Sequence, residues 1–298
     1  MLYNQKRMPV AYTIQPTYAI DDASLLETDL TTCTLLVLIG SGTFSYAVLS
    51  PVTRRFLALK SYSYQPRTLA VADLEMIEQI FDADKLLFTA FKDVLLAFDS
   101  PDSTLVPESL YQSQLKKDFL HAAHLEKMQE AVLADHLPDL GMVHVFATDK
   151  DILGFLRKEF SSDRVVHAYT ALLKSYRQDN DVQFSDGVVF IEIQPQHFAL
   201  TIYAAGKLLL QQQFAYRSGL DIVYYIVNSL RQLGLNEQQA KIKLGGALTH
   251  DSQVYQELNR FLPRLDWVKK PHNFLYIAKM NDVPAHHFHN LYALALCV

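Results

Sequence analysis

The apolar positions of this chain fall into short runs broken by one amphipathic stretch, and the same succession occurs twice. Residues 34–39, TLLVLI, are a continuous apolar run of strand length, and 43–50, TFSYAVLS, alternate as a hairpin partner would. Residues 55–64, RFLALKSYSY, predict a third strand. Residues 69–81, LAVADLEMIEQIF, carry apolar groups at helical spacing, and 92–98, KDVLLAF, return to strand. From residue 187 the pattern starts again. GVVFIEI (187–193) and HFALTIYA (197–204) predict a second hairpin, and GKLLLQQQFAY (206–216) a third strand. GLDIVYYIVNSLRQLG (219–234) predicts an amphipathic helix and AKIKLGG (240–246) a strand. Ile39 precedes Phe44 by five residues, as Ile193 precedes Phe198.

A strand-strand-strand-helix-strand unit repeated in one chain resembles the plan of the actin, sugar-kinase and Hsp70 superfamily. The resemblance implies an α/β fold of mixed sheets, in which two ribonuclease-H-like domains close over a nucleotide. The alternative is a coincidence of two α+β domains. On the repeat reading, residues 1–178 form the first domain and 179–298 the second, and 34–98 are expected to superpose on 187–246. Residues 129–148 predict a two-stranded insertion with a turn at Pro138–Gly141, and 149–160 a helix with Asp149 or Asp151 at its positive end. Residues 164–169 predict the last strand of the first half and 170–179 the helix leading out. The polar stretch RQDNDVQFSDG, 177–187, is the candidate linker. The second half closes with a helix at about 250–262 capped by Thr249 or Asp251, a short strand LDWVKK, and a helix near 285–297 with Pro284 in its first turn.

Composition narrows the setting more than the chemistry. A length of 298 residues suits one large domain or two of about 150. A net charge of −5 leaves no basic surplus for nucleic acid or an anionic membrane. No apolar run approaches the ~20 residues of a membrane span, and residues 1–22 lack the apolar core and cleavage site of a secretory signal. Cys33 and Cys297 form no CxxC and no metal spacing, and their apolar surroundings predict buried reduced thiols in a cytoplasmic protein.

Three segments carry a narrower resemblance: TLVPESLY (104–111), GKLLLQQQFAYRSGLDIVYYIVNSLRQLGL (206–235) and IKLGGALTHDSQVYQEL (242–258). They resemble the signature segments of the bacterial domain-of-unknown-function family 3822 (DUF3822), along nearly the whole chain. That resemblance implies an actin-like ATPase fold related to pilus-assembly and cell-division members of the superfamily, and no known activity.

In nucleotide-binding members of the superfamily, the first hairpin of each domain grips phosphate with an Asp at the strand end and glycines after it. The glycines let backbone N–H groups approach, and the Asp orients Mg²⁺. Here Gly40, Ser41 and Gly42 are present, but the strand ends in Leu38 and Ile39. The second hairpin, FIEIQPQHF, has Glu192 and no glycine, and Pro195 removes a donor. IGSG therefore reads first as a tight turn in which Gly supplies positive φ. Gly245 and Gly246 fit the Gly-Gly against which adenine and ribose would lie, although a Gly pair at a strand end is often a turn. Ala97 and Phe98 stand at the equivalent place in the first half. If a nucleotide binds, the cofactor-binding residues are Gly245, Gly246, Gly40, Ser41 and Gly42.

The catalytic candidates are Asp99, Asp102 and Glu192. The bland reading of the first two is an Asp-Ser-Pro-Asp turn, and of Glu192 a strand-surface residue or a pair with a Lys. His286, His287 and His289 read as a solvated helix start, and His121 and His124 share one i,i+3 relation; with no further ligand evident, no metal is expected. No Walker loop, Gly-x-Ser-x-Gly or HExxH occurs. The leading reading is a noncatalytic actin-like interaction or scaffold module with protein partners and no predicted cofactor. The alternative is a divergent ATPase or small-molecule kinase using ATP and Mg²⁺. A nuclease would need acids on adjacent strands, where Leu38, Ile39 and Ile193 stand.

Overall fold

The structure is a computed structural model that describes residues 14–64, 70–162 and 164–298. A short strand, β1 (Tyr18–Asp21), comes before the predicted hairpin β2 (Thr34–Gly40) and β3 (Thr43–Ser50). Next are β4 (Arg55–Ser63), α1 (Ala70–Ala83) and β5 (Asp93–Phe98); Leu69, at the predicted start of the helix, lies outside the described residues. The predicted two-stranded insertion has a third strand. β6 (Ser103–Pro107), α2 (Lys116–His121), β7 (Glu130–Leu137) and β8 (Met142–Asp149) build an antiparallel sheet of order β6-β8-β7. Gly141, at φ +61°, makes the turn between β7 and β8. α3 (Lys150–Phe160) is capped by Asp149, whose side chain accepts from the N–H groups of Asp151 and Ile152. β9 (Val165–His167) and α4 (Ala168–Arg177) complete the first half.

The second half supplies β10 (Val188–Ile193), β11 (His197–Ala204), β12 (Lys207–Ala215), α5 (Gly219–Gln232), β13 (Lys241–Gly246), α6 (Gln253–Phe261), β14 (Leu265–Trp267), β15 (Leu275–Tyr276) and α7 (His289–Ala293). Ser252, rather than Thr249 or Asp251, caps α6, because its hydroxyl accepts from Tyr255 N–H. The predicted C-terminal helix starts later than Pro284. Residues 285–288 form turns, in which His286 O accepts from Gly246 N–H at 2.9 Å and from His289 N–H at 3.4 Å. The candidate linker is folded: Asp179 caps a 3-10 turn at Asn180–Gln183, and Asp179 and Asp181 both pair with Lys243.

Two mixed sheets share one strand order. In the first, β4-β3-β2-β5-β9 follows an antiparallel meander with two parallel strands added on its far side; in the second, β12-β11-β10-β13-β14 does the same. The register matches at the strand ends: Ile39 faces Phe44 and Phe98, and Ile193 faces Phe198 and Gly246.

The central strands are apolar on both faces because both faces are covered. Leu35, Val37 and Ile39 of β2 pack outward on Ile77 and Ile80 of α1 and Leu153 and Leu156 of α3. Val189, Ile191 and Ile193 of β10 pack outward on Ile222 and Ile226 of α5 and Leu258 of α6. The inner faces share one core. Leu36 and Leu38 of β2 and Val188 and Phe190 of β10 belong to the same cluster as Tyr169 and Leu172 of α4 and Leu291 and Tyr292 of α7. Helices, sheet, helices, sheet and helices thus stack in five layers. The three-stranded insertion keeps a small core of its own around Leu120, Val132, Val143 and Val145.

One buried polar knot ties the first meander together. The hydroxyls of Tyr46 and Tyr62 donate to Asp84 Oδ2 at 2.5 and 2.7 Å, and Lys60 Nζ to Oδ1 at 2.9 Å. Burial alone would raise the Asp84 pKa, but these donors and the Lys60 charge hold it below the ordinary carboxylate value. Asp84→Ala is expected to cost about 3–5 kcal/mol at neutral pH, since it strands a lysine and two buried hydroxyls. A depressed folded pKa means the contribution exists above the unfolded value near 3.9 and is lost as pH falls through the folded one. By urea titration, the cost of Asp84→Ala is therefore expected to shrink as pH falls below the unfolded value near 3.9.

Candidate functional site

The two hairpin tips and the ends of β5 and β13 converge on the cleft between the sheets. In the first hairpin Gly40 pairs with Thr43, leaving Ser41 and Gly42 as a two-residue turn, and Gly42 takes φ +71°. This is a tight hairpin turn in which glycine supplies the positive φ. In the second hairpin Gln194 N–H donates to His197 O at 2.9 Å, so Pro195 and Gln196 form the tip. Beyond each fourth strand the backbone ties back in the same way: Asp99 N–H to Ile39 O, and Ala247 N–H to Ile193 O, both 2.8 Å.

Across the cleft, His197 Nε2 of the second hairpin lies 3.4 Å from Asp99 Oδ1 of the first half. Burial opposes a charge on His197, but the Asp99 carboxylate beside it outweighs burial and raises its pKa. Gly40, Ser41, Thr43, Gln194 and Pro195 close around this pair, leaving a cavity of about 10 Å³. A second bridge lies alongside: Gln213 Nε2 of β12 donates to Ser100 O at 2.9 Å. Behind Asp99, His167 Nε2 meets Ser100 O at 2.9 Å, and its backbone N–H donates to Asp135. Burial pushes His167 down to about 4 and Asp135 up to about 6.

Glu192 is neither a surface residue nor paired with a lysine. It is 1 % exposed, and neither carboxyl oxygen meets a hydrogen-bond partner. Its neighbour across the register is Gly245, and a Cβ there would collide with the Glu192 carboxyl. Burial first, and the Asp99 charge second, push its pKa well above the ordinary value. The matching place in the first sheet holds Leu38 beside Ala97.

The Gly-Gly pair has structural work of its own. Gly246 takes φ +88°, where a Cβ would overlap the Ile193 backbone, and its N–H is held by His286 O. His286 is buried, stacked on Trp267 with centroids 3.8 Å apart, and His289 is buried beside Ser175; the expected solvated helix start is thus part of the core. Its cause is the return of residues 284–289 onto β13. Asp102 points away from Asp99, toward His124 (3.5 Å) and Lys127 of the insertion. The structure therefore groups Asp99 and Glu192 with His197 and His167, and leaves Asp102 out. His197 was legible only as a polar residue at a hairpin mouth.

A larger hollow of about 270 Å³ lies further back along β13, lined by Asp179, Asp181, Lys243, Lys270 and His289. Its central charges already neutralise one another, with Lys243 Nζ 2.7 Å from Asp181 and also paired with Asp179.

Residues 23–265 match the family described as "Protein of unknown function (DUF3822)". The chain belongs to the DUF3822 family. Among solved structures, this DUF3822 chain is similar to a protein of actin-like ATPase fold and unknown function from Bacteroides thetaiotaomicron. The TM-score is 0.76 at 19 % identity, covering 90 % of this chain and 97 % of that one. It is also similar to the PilM-PilN type IV pilus biogenesis complex, with TM-score 0.59 at 12 % identity over 89 % of this chain and 98 % of that one. A comparison with curated proteins returns no match. The DUF3822 chain thus has the actin-like ATPase fold. Among the described residues, no helix is long and apolar enough to cross a membrane.

Two measurements test the electrostatics of the cleft. Glu192→Leu copies the Leu38 arrangement and is expected to gain about 1 kcal/mol or more at pH 7, by removing an unsatisfied buried acid. A raised folded pKa penalises the native state as pH climbs above the unfolded value near 4.3, so the gain should grow from about pH 4 to 7. A loss of stability at pH 7 would mean that the carboxyl makes an essential contact. The NMR titration midpoint of His197 should lie above about 6.5 and drop in Asp99→Asn. That raised value stabilises the fold below about pH 6.5 and fades as pH rises through it, so Asp99→Asn should cost more at about pH 6 than at pH 9.

Proposed function

We propose that this DUF3822 protein is a noncatalytic interaction or scaffold module that keeps the actin-like fold and has turned its nucleotide cleft into a fixed joint. The observation that carries this reading is the His197–Asp99 pair, which spans the two hairpins where phosphates would lie and leaves about 10 Å³. A small-molecule site ordinarily needs roughly 300 Å³ or more. Two further observations support it. The N–H of Gly246 is taken by His286 O. The first loop has no acid to place Mg²⁺, and the second presents Pro195 in place of a donor. A protein is the class of partner that fits a chain of net charge −5. PilM, of the same fold, is seen in a complex with PilN.

The second reading, a divergent ATPase or small-molecule kinase, draws on one specific observation. Asp99, Glu192, His167 and His197 gather at the cleft, three of them with shifted pKa values. In that reading Asp99 or Glu192 would orient the attacking group.

Calorimetric titration with ATP, with and without Mg²⁺, separates the two. The proposal expects no saturable heat up to millimolar ATP and turnover far below ~1 s⁻¹. Saturable Mg-ATP binding with ordinary turnover, lost in Asp99→Asn or Glu192→Gln, would install the enzyme reading instead.

A further inference from the structure

We propose that the insertion carries a binding site for a divalent transition-metal ion, formed by His121, Glu126 and Glu130. His121 ends α2, Glu126 lies in the following loop and Glu130 opens β7. One ligand atom from each lies within 4.8 Å of the others. The sequence pairs His121 with His124 by helical spacing, but the fold turns them apart: His124 Nε2 goes to Ser103 O at 3.0 Å.

The hydrogen bonding of His121 carries the argument. Its Nδ1 lies 3.3 Å from His124 O, and a carbonyl only accepts, so Nδ1 bears the proton. In the neutral ring Nε2 then presents a lone pair, and it stands 2.8 Å from Glu130 Oε1, an atom that offers only lone pairs itself. The two atoms do not meet as a directed donor and acceptor, and neither finds another partner. Two such atoms at this spacing need a positive charge between them, either a second proton on the ring or a metal ion, and the poor direction of the contact favours the metal ion. Ligand atoms about 2.0–2.1 Å from a tetrahedral zinc ion stand ~3.3–3.4 Å apart, so the 2.8 Å pair opens by about half an ångström when the ion enters. A metal on the Nε2 lone-pair axis places Oε1 beside that axis, in agreement with the misdirected contact.

Burial sharpens the case. The Glu130 side chain is only 6 % exposed, so its unpartnered oxygen is not a solvated surface carboxylate. Both inner ligands are also held from behind, as metal ligands are: His121 by its Nδ1–H to a carbonyl, and Glu130 Oε2 by the N–H of Lys127 at 3.1 Å. Glu126 is exposed and 3.9 Å from Lys117, so it can swing in as a third ligand. One imidazole and two carboxylates balance a 2+ ion and suit Zn²⁺ better than Mg²⁺. The ion would staple the end of α2 to the start of β7, across a subdomain whose apolar core is small.

The test is calorimetry of the full chain with Zn²⁺ alone and with Mg²⁺ alone, beside thermal melts. The expected result is one Zn²⁺ per chain, at least tenfold tighter than Mg²⁺, with a rise in melting temperature. His121→Gln and Glu130→Gln should each weaken binding at least about tenfold and abolish the rise. Glu126→Gln, at an exposed position with little folding risk, should also weaken it. Zn²⁺ binding that is absent, no tighter than Mg²⁺, or unchanged in His121→Gln or in Glu126→Gln would leave His121 and Glu130 as a plain ion pair and overturn the proposal.

Discussion

Neither large sheet owns its inner face. Both lay it on the same two helices, α4 and α7, so one apolar layer holds the halves together and positions everything between them. The outer layers are ordinary by comparison, each sheet covered by helices from its own half. A shared layer leaves little room for water, and the polar side chains within it are shifted accordingly. Tyr169 and Tyr176 are pushed far above the ordinary phenol value, and His289 down to about 4. The Asp99–His197 pair is buried as well, and the attraction between its two groups offsets the cost of taking them out of water.

The cleft illustrates how a common backbone plan carries different chemistry. The strand ends repeat: Ile39 and Ile193 accept the same backbone hydrogen bond from the residue beyond each fourth strand. What differs is which side chain each register position holds. Leu38 against Ala97 is an apolar contact, whereas Glu192 against Gly245 is a buried acid fitted into the space of a missing Cβ. Gly245 and Gly246 are therefore required by the packing of the chain on itself, whatever else they contact.

Much of the architecture was legible in the sequence because strands covered on both faces read as unbroken apolar runs, and TLLVLI and GVVFIEI are such runs. The short elements were not. β1, β6 and β15 carry too few residues for a period to show, and they exist because a neighbouring edge was open to them. Of the candidate site residues, Asp99 and Glu192 do come together, but the sequence around Glu192 suggests a surface residue or a lysine pair, and it is neither. Its own alternation held the correction: Val188 and Phe190, at i−4 and i−2, lie on the shared core face, so Glu192 must too. The fate of residues 284–289 was unreadable, since a histidine cluster after a proline resembles a helix start until β13 claims its carbonyl.

The return of the chain to its first sheet has a consequence for synthesis. β15 pairs with Arg55 and Phe56 of β4, Phe56 stacks on Tyr276, and Tyr292 of α7 packs edge-on against the same ring. All these partners leave the ribosome long after β4 does. Until they arrive, the emerging first sheet presents Leu36, Leu38 and Phe56 without their final cover. Such a chain depends on late, long-range closure, which slows folding and exposes sticky surface meanwhile. Loss of the C-terminal residues should therefore uncover the inner faces of both sheets, the early-made first one included.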